Sequence, residues 1–224
     1  QLHPLAFAAT AAFAALLQAA EMPGEMAMLI LAVDSLCDAP VLASDHVLGR
    51  VYRPGNADGW VAGEAAASVV LRPLTSISAA PAGTFAIHLP GLAAESNSTM
   101  RWPSDALGDG KSAQTAMAQA LRNSGMQLQN ISHLVCDQDG SSWRSHDLRA
   151  ALGRIQAQEG QAWEGKLVEP ALHLGQLGAA WGTVFWSLVV WLHAHELEQI
   201  HSALCLTQDV SGQCAACVIE QSPN

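Results

Sequence analysis

Asp139, Gly140, Ser141 and His146 lie within one span of eight residues. A carboxylate, a hydroxyl and an imidazole are the parts of a hydrolytic relay, in which the hydroxyl attacks and the imidazole takes its proton. No glycine-flanked nucleophile elbow accompanies them, so the spacing does not by itself make a hydrolase. His193, His195, Glu196 and His201 have the side chains of a metal site. Two apart on a helix, His193 and His195 diverge, and the group reads as a solvated helix end with no metal expected. Cys214-Ala-Ala-Cys217 has redox spacing, but in a strand residues three apart point to opposite faces, which makes them buried thiols. Trp60, Trp102, Trp143 and Trp163 fall in expected loops, where packing beneath the loops is a simpler reading than lining an acyl pocket.

Two apolar helices must carry whatever site exists. Leu174 to Leu192, LGQLGAAWGTVFWSLVVWL, has nineteen residues without a charge, just short of the ~20 a bilayer needs. Gly175, Gly178, Ala179, Ala180 and Gly182 thin its first turns for close approach by another backbone, and Gln176, Thr183 and Ser187 require partners. No Lys/Arg cluster flanks it, so no membrane span is expected. Pro4 to Ala20, PLAFAATAAFAALLQAA, has the same character, and the two helices are expected to pack together with sheets on both sides.

Strands are expected at Met26 to Val33, Ala67 to Leu71, Thr84 to Leu89, Ile131 to Cys136, Ala203 to Leu206 and Cys214 to Glu220. Residues 38 to 60 read as loop. Ser112 to Ser124 reads as an amphipathic helix stopped by Gly125, and Arg149 to Ala157 as another helix.

A chain of 224 residues with 50% hydrophobic and 13% charged residues can bury a real core. Its net charge of −10, with only ten scattered Lys and Arg, argues against nucleic-acid binding, which needs a basic stripe. Five cysteines are an odd number, which argues for a reducing, cytoplasmic compartment. The chain opens on Gln1 and enters an apolar helix at once, without the basic segment of a secretory signal; residues upstream are expected.

Asp58-Gly59-Trp60-Val61-Ala62-Gly63-Glu64-Ala65-Ala66 resembles the D-G-F-V-x-G-E-G-A segment of the β-ketoacyl synthases, members of the thiolase-like superfamily. Asp139-Gly140-Ser141-Ser142, with Asp147 eight residues after Asp139, resembles the H-G-T-x-T loop and its downstream Asp. Leu172 to Gly182 is similar to G-H-x-x-G-A-x-G, and the turn containing Gly212 replaces F-G-F-G-G-x-N. The resemblance implies an α/β, layered αβαβα thiolase-like fold: a partial N-terminal half at residues 1–73 and a complete C-terminal half at 74–224. It makes Gly59, Gly63, Glu64, Gly140, Ser141, Asp147, Gly178 and Gly212 scaffold positions. Glu64 is expected to be buried and Ala65 to meet a positive-φ requirement.

The resemblance also implies a condensing centre whose residues are absent. The acylated Cys falls near Phe7, and no Cys lies in residues 1 to 36. The first histidine falls on Asp139, an anion that would repel a developing enolate. The second falls on Gly175, the lysine on Pro170, and the gating Phe near Gln208. His173, two residues from the second position, and Lys166 are near but out of register. The expectation is a catalytically inactive β-ketoacyl-synthase-like protein without cofactor. It would act as a chain-length-factor-like partner or scaffold, in a homodimer or in a heterodimer with an active synthase. Alternatives are a thiolase-like adaptor for an unrelated protein, and residual acyl-transfer, decarboxylase or hydrolase activity at Asp139 or His173. Acyl carrier protein would dock only indirectly unless Arg50, Arg53, Arg144 and Arg149 gather on one face.

Overall fold

A computed structural model describes residues 9–21, 27–73, 83–94 and 108–222. Phe7, the turn at Met22 to Gly24 and Trp102 lie outside them.

The short apolar runs of the C-terminal strands build a six-stranded mixed sheet. β5 (His133–Cys136) runs parallel to both β6 (Lys166–Val168) and β7 (Ser202–Gln208). β8 (Gln213–Gln221) turns back antiparallel to β7, and β3 (Phe85–Ile87) and β4 (Gly91–Ala94) pair antiparallel with it. Both faces are covered, so the strands read as continuous apolar runs. On one face lie α3 (Lys111–Ser124) and α4 (Ser142–Glu159), over Leu134, Cys136, Leu204, Cys214 and Val218. On the other lie α1 (Ala11–Glu21) and α6 (Trp181–Ala194), over Val135, Cys205, Cys217 and Ile219. Cys214 and Cys217 are thus buried on opposite faces of one strand.

The two apolar helices pack on each other. A β-carbon on Gly182 would come 2.6 Å from Ala12 Cβ, and Phe13 meets Trp186 edge-on with centroids 5.5 Å apart. Beyond them lies a second sheet, β1 (Met28–Ser35) paired antiparallel with β2 (Glu64–Leu71), with Ile30, Ala32, Val69 and Leu71 turned toward the helices. The layers run α, β, α, β. The outer face of the hairpin exposes Leu29, Leu31, Val33 and Val70, each 63% to 67% accessible.

Several local expectations are corrected. Residues 38 to 60 include α2 (Ala39–Val47), which Pro40 opens from a position where its missing N–H costs nothing. The helix expected from Leu174 begins only at Trp181. Before it come a short helix, α5 (Ala171–Leu174), and a 3-10 turn, Gly178–Ala180. Gly175 at φ 72° and Gly178 at φ 52° break the helical path, while Gln176 pairs with residues 61–63. α4 begins at Ser142 rather than Arg149, and β5 at His133 rather than Ile131. Glu64 is exposed and accepts a hydrogen bond from Ser35 Oγ at 3.0 Å. Ala65 sits in a regular strand; among the described residues only Glu196 is a non-glycine at positive φ.

Candidate functional site

Four loops converge at the C-terminal ends of β5 and β7: residues 58–63, 137–142, 175–181 and 207–212. Asp137 leaves β5 fully buried. Its Oδ2 accepts from Thr207 Oγ1 at 2.8 Å and Gln208 N–H at 2.9 Å, and pairs with Arg144 Nη1 at 2.6 Å. Burial is the largest influence on this carboxyl and pushes it up, against the Arg144 charge and the two hydrogen bonds. The Arg144 side chain is 7% exposed, reaches Asp139 Oδ2 at 3.4 Å and lies 4.6 Å from the Trp143 ring centroid.

Asp139 is held from every side. Its Oδ1 accepts from Ser141 N–H at 3.0 Å and Oγ at 2.5 Å; its Oδ2 accepts from Gln176 Nε2 at 2.7 Å. Gln176 Oε1 in turn accepts from Trp181 Nε1 at 3.0 Å. The result is a chain from Trp181 through Gln176, Asp139 and Arg144 to Asp137. The charges are opposed and each is hydrogen-bonded, the condition under which a buried ion cluster is tolerated.

The glycines let the loops touch. Gly63 N–H donates to Gln176 O at 3.0 Å, and Gln176 N–H to Val61 O at 2.7 Å. A β-carbon on Gly63 would lie 2.2 Å from Leu174 O, backbone that cannot swing away. Gly63→Ala is therefore expected to cost about 2 kcal/mol or more in urea unfolding; a cost below about 0.5 kcal/mol would contradict this packing. Asp58 Oδ1 accepts from Ser142 N–H at 2.5 Å and Oγ at 2.7 Å, capping α4 from the loop that precedes β2. Asp34 Oδ2 accepts from Ala179 N–H at 2.8 Å, beside Gly178.

Of the other sequence candidates, Gly140 adopts φ 88° and Gly212 φ 81° in their turns. Asp147 is buried, and its carbonyl oxygen is 2.6 Å from where a Gly110 β-carbon would stand. Pro170 caps α5 and Gly175 packs against Ala62 O. His173 is exposed on α5. Ser141 bonds Asp139, while exposed His146 stands 3.7 Å from Asp147, so the hydrolytic set is not assembled. Gln208 is buried. Gly59 packs against the backbone of Val51 and Tyr52. Lys166 lies at the other end of the sheet with Glu198 at 2.6 Å.

His193 packs on Phe85 and His195 on Trp191; among the described residues no three metal-ligating side chains converge. Burial pushes the Cys136 and Cys205 thiols up, away from reactivity. Trp60 and Trp143 are buried, and Trp163 Nε1 donates to Ile131 O at 2.7 Å, so these three pack. Arg144 is buried, so the four arginines do not form one docking face. Asp137, Arg144, Gln176 and Asp58 carry the centre, and sequence reasoning assigned none of them that role. The signal available was Asp137-x-Asp139 followed by an arginine in a charge-poor chain.

Comparison with solved structures decides the fold. The ketosynthase from module 6 of the bacillaene synthase of Bacillus subtilis 168 superposes with a TM-score of 0.78 at 16% identity, over 97% of this chain and 46% of that one. The fold is that of the ketosynthases. The PfaC keto synthase-chain length factor matches the ketosynthase-fold chain with a TM-score of 0.74 at 17% identity, over 96% of this chain and 22% of that one. A type II ketosynthase, AntDE, solved with its acyl-carrier protein AntF and bound hexaketide, gives 0.69 at 13%, over 87% and 56%. The chain therefore spans about a fifth to somewhat over half of the length of these structures. No family model and no curated protein matches the sequence. Within the ketosynthase fold, the chain's four converging loops carry the Asp139–Arg144 cluster. Among the described residues, no helix is long and apolar enough to cross a membrane.

Proposed function

We propose that this chain is a non-catalytic ketosynthase-fold subunit, acting as a chain-length-factor-like partner or scaffold of an active condensing enzyme in fatty-acid- or polyketide-type synthesis. The observation that carries the reading is the state of Asp139. Decarboxylative condensation requires neutral donors aimed at a developing oxyanion and a thiolate to hold the acyl group. Asp139 is an acceptor already committed to Ser141, Gln176 and Arg144, and no cysteine lies in residues 1 to 36. The apolar outer face of the β1–β2 hairpin supports a partner, since exposed patches of this kind mark protein interfaces. Acyl carrier protein would be engaged through that partner, because the chain carries a net charge of −10 and Arg144 is buried, away from any docking face.

The test is intact-mass analysis with acyl-carrier thioesters, first alone and then with a co-expressed synthase. The expected result is no acyl adduct on this chain and a changed product length from the synthase. A covalent adduct on this chain would overturn the non-catalytic reading. No adduct and no effect on any synthase would favour an adaptor for an unrelated protein.

A further inference from the structure

β1 and β2 turn every second residue away from the molecule: Leu29, Leu31, Val33 and Ser35 on one strand, Glu64, Ala66, Ser68 and Val70 on the other. In register, Leu29 sits beside Val70, Leu31 beside Ser68, Val33 beside Ala66 and Ser35 beside Glu64. The inner face is taken up by α1 and α6. Both faces of the six-stranded sheet carry helices, whereas among the described residues nothing covers the outer face of this hairpin.

The ends of this strip determine what fits it. Glu64 stands at one end; Arg72, exposed and next in the outward series after Val70, stands at the other. No charge lies between them on that face. A strip that is negative at one end, apolar along its middle and positive at the other is complementary to itself turned end for end. Each Glu64 then meets the Arg72 of the second copy, the reciprocal pattern of a two-fold interface. Two chains of net charge −10 repel each other, and a seam whose end charges cancel is where that repulsion is least. Pairing by strand edges would leave Leu29, Leu31, Val33 and Val70 in water; packing by faces buries them. Eight residues at about 3.3 Å each make a strip roughly 26 Å long, with an apolar area on the order of 500 Å², near the top of the range for the largest patch on a monomer. Two such strips face to face remove about 1,000 Å² from water, the lower limit of a specific interface.

We infer that the outer face of the β1–β2 hairpin is a self-association surface, on which a second copy of this chain packs with its strands reversed, Leu31 at the centre and Glu64–Arg72 pairs at both ends. The small area makes the dimer a reversible one. The inference rests on the reading of this face as an interface and not on the loss of catalysis, so an acyl adduct on the chain would leave it standing.

Sedimentation of the whole chain from about 1 to 200 µM should show a reversible monomer–dimer equilibrium, the range expected of so small an interface. Leu31→Asp should weaken it about thirtyfold or more, as at other central interface positions. Glu64→Arg and Arg72→Glu should each weaken it by setting like charges opposite one another, and an equimolar mixture of these two variants should restore the dimer, because every end contact is then opposite in sign. Should Leu31→Asp not fold by circular dichroism, the two charge variants, both at exposed positions, decide alone. A mixture no tighter than its components would overturn reversed pairing of two copies. A chain that stays monomeric throughout would also overturn it, leaving the face to the chain's own residues or, if a co-expressed synthase binds and Leu31→Asp abolishes that binding, to the synthase.

Discussion

Replacing Arg144 by methionine should lower stability to urea by about 3–5 kcal/mol, the range found when one partner of a buried ion pair is removed. Methionine keeps most of the volume, so the loss reports the charge. Asp137 would remain fully buried with only Thr207 and Gln208 as donors, and Asp139 would lose its cation. The sign with pH follows. Without Arg144 the Asp137 carboxyl, already pushed up by burial, rises further above its unfolded value. The folded variant then prefers the protonated acid, and stability falls as pH rises through the carboxylate range. The deficit should accordingly be smaller at pH 5 than at pH 7. Adding Asp137→Asn and Asp139→Asn should restore most of the loss, because a neutral, hydrogen-bonded set replaces stranded charges. A single-variant cost below about 1 kcal/mol, or no rescue, would mean that the cluster is not what holds the four loops.

The parts of the fold legible in the sequence are those set by long apolar pattern. The pairing of the two apolar helices, the separation of Cys214 from Cys217 by face, and the glycine stop at Gly125, with φ 69°, follow from period and from backbone freedom. The break before Trp181 was hidden because Gly175, Gln176 and Gly178 sit in an uncharged run; what bends the chain is pairing of Gln176 with residues 61–63, over a hundred positions away. α2 was hidden by its proline and by a charge-poor sequence with weak amphipathicity. At the site, the departure of Asp139 from the H-G-T-x-T pattern was visible, but not its pairing with Arg144. Arg144 lies five residues on, in the first turn of α4, where a cation is unfavourable to the helix dipole. That cost makes sense only once Asp137 and Asp139 are seen on either side of it. The Asp137–Arg144–Asp139 cluster is therefore made by tertiary convergence, which no local pattern in residues 137–144 reveals.

Trp186→Ala should give the other large effect, about 3–5 kcal/mol, as for other fully buried aromatics cut to alanine. Trp186 is 1% exposed, meets Phe13 edge-on across the helix pair, and donates from Nε1 to Cys217 Sγ at 3.2 Å on the six-stranded sheet. One side chain thus ties α1, α6 and β8 together. Removing it opens a void between rigid elements that close poorly: α6 already approaches α1 as nearly as Gly182 permits, and the sheet behind is pinned by β7 and β8 pairing. Trp186→Phe fills most of the space and forfeits chiefly the weak N–H···S bond, so it should cost roughly 1 kcal/mol. The two variants separate packing from hydrogen bonding. If alanine cost no more than phenylalanine, the helix pair would have to collapse onto the vacated volume, and the apolar face of β1 and β2, rather than the contact between α1 and α6, would be what keeps the central layer in place.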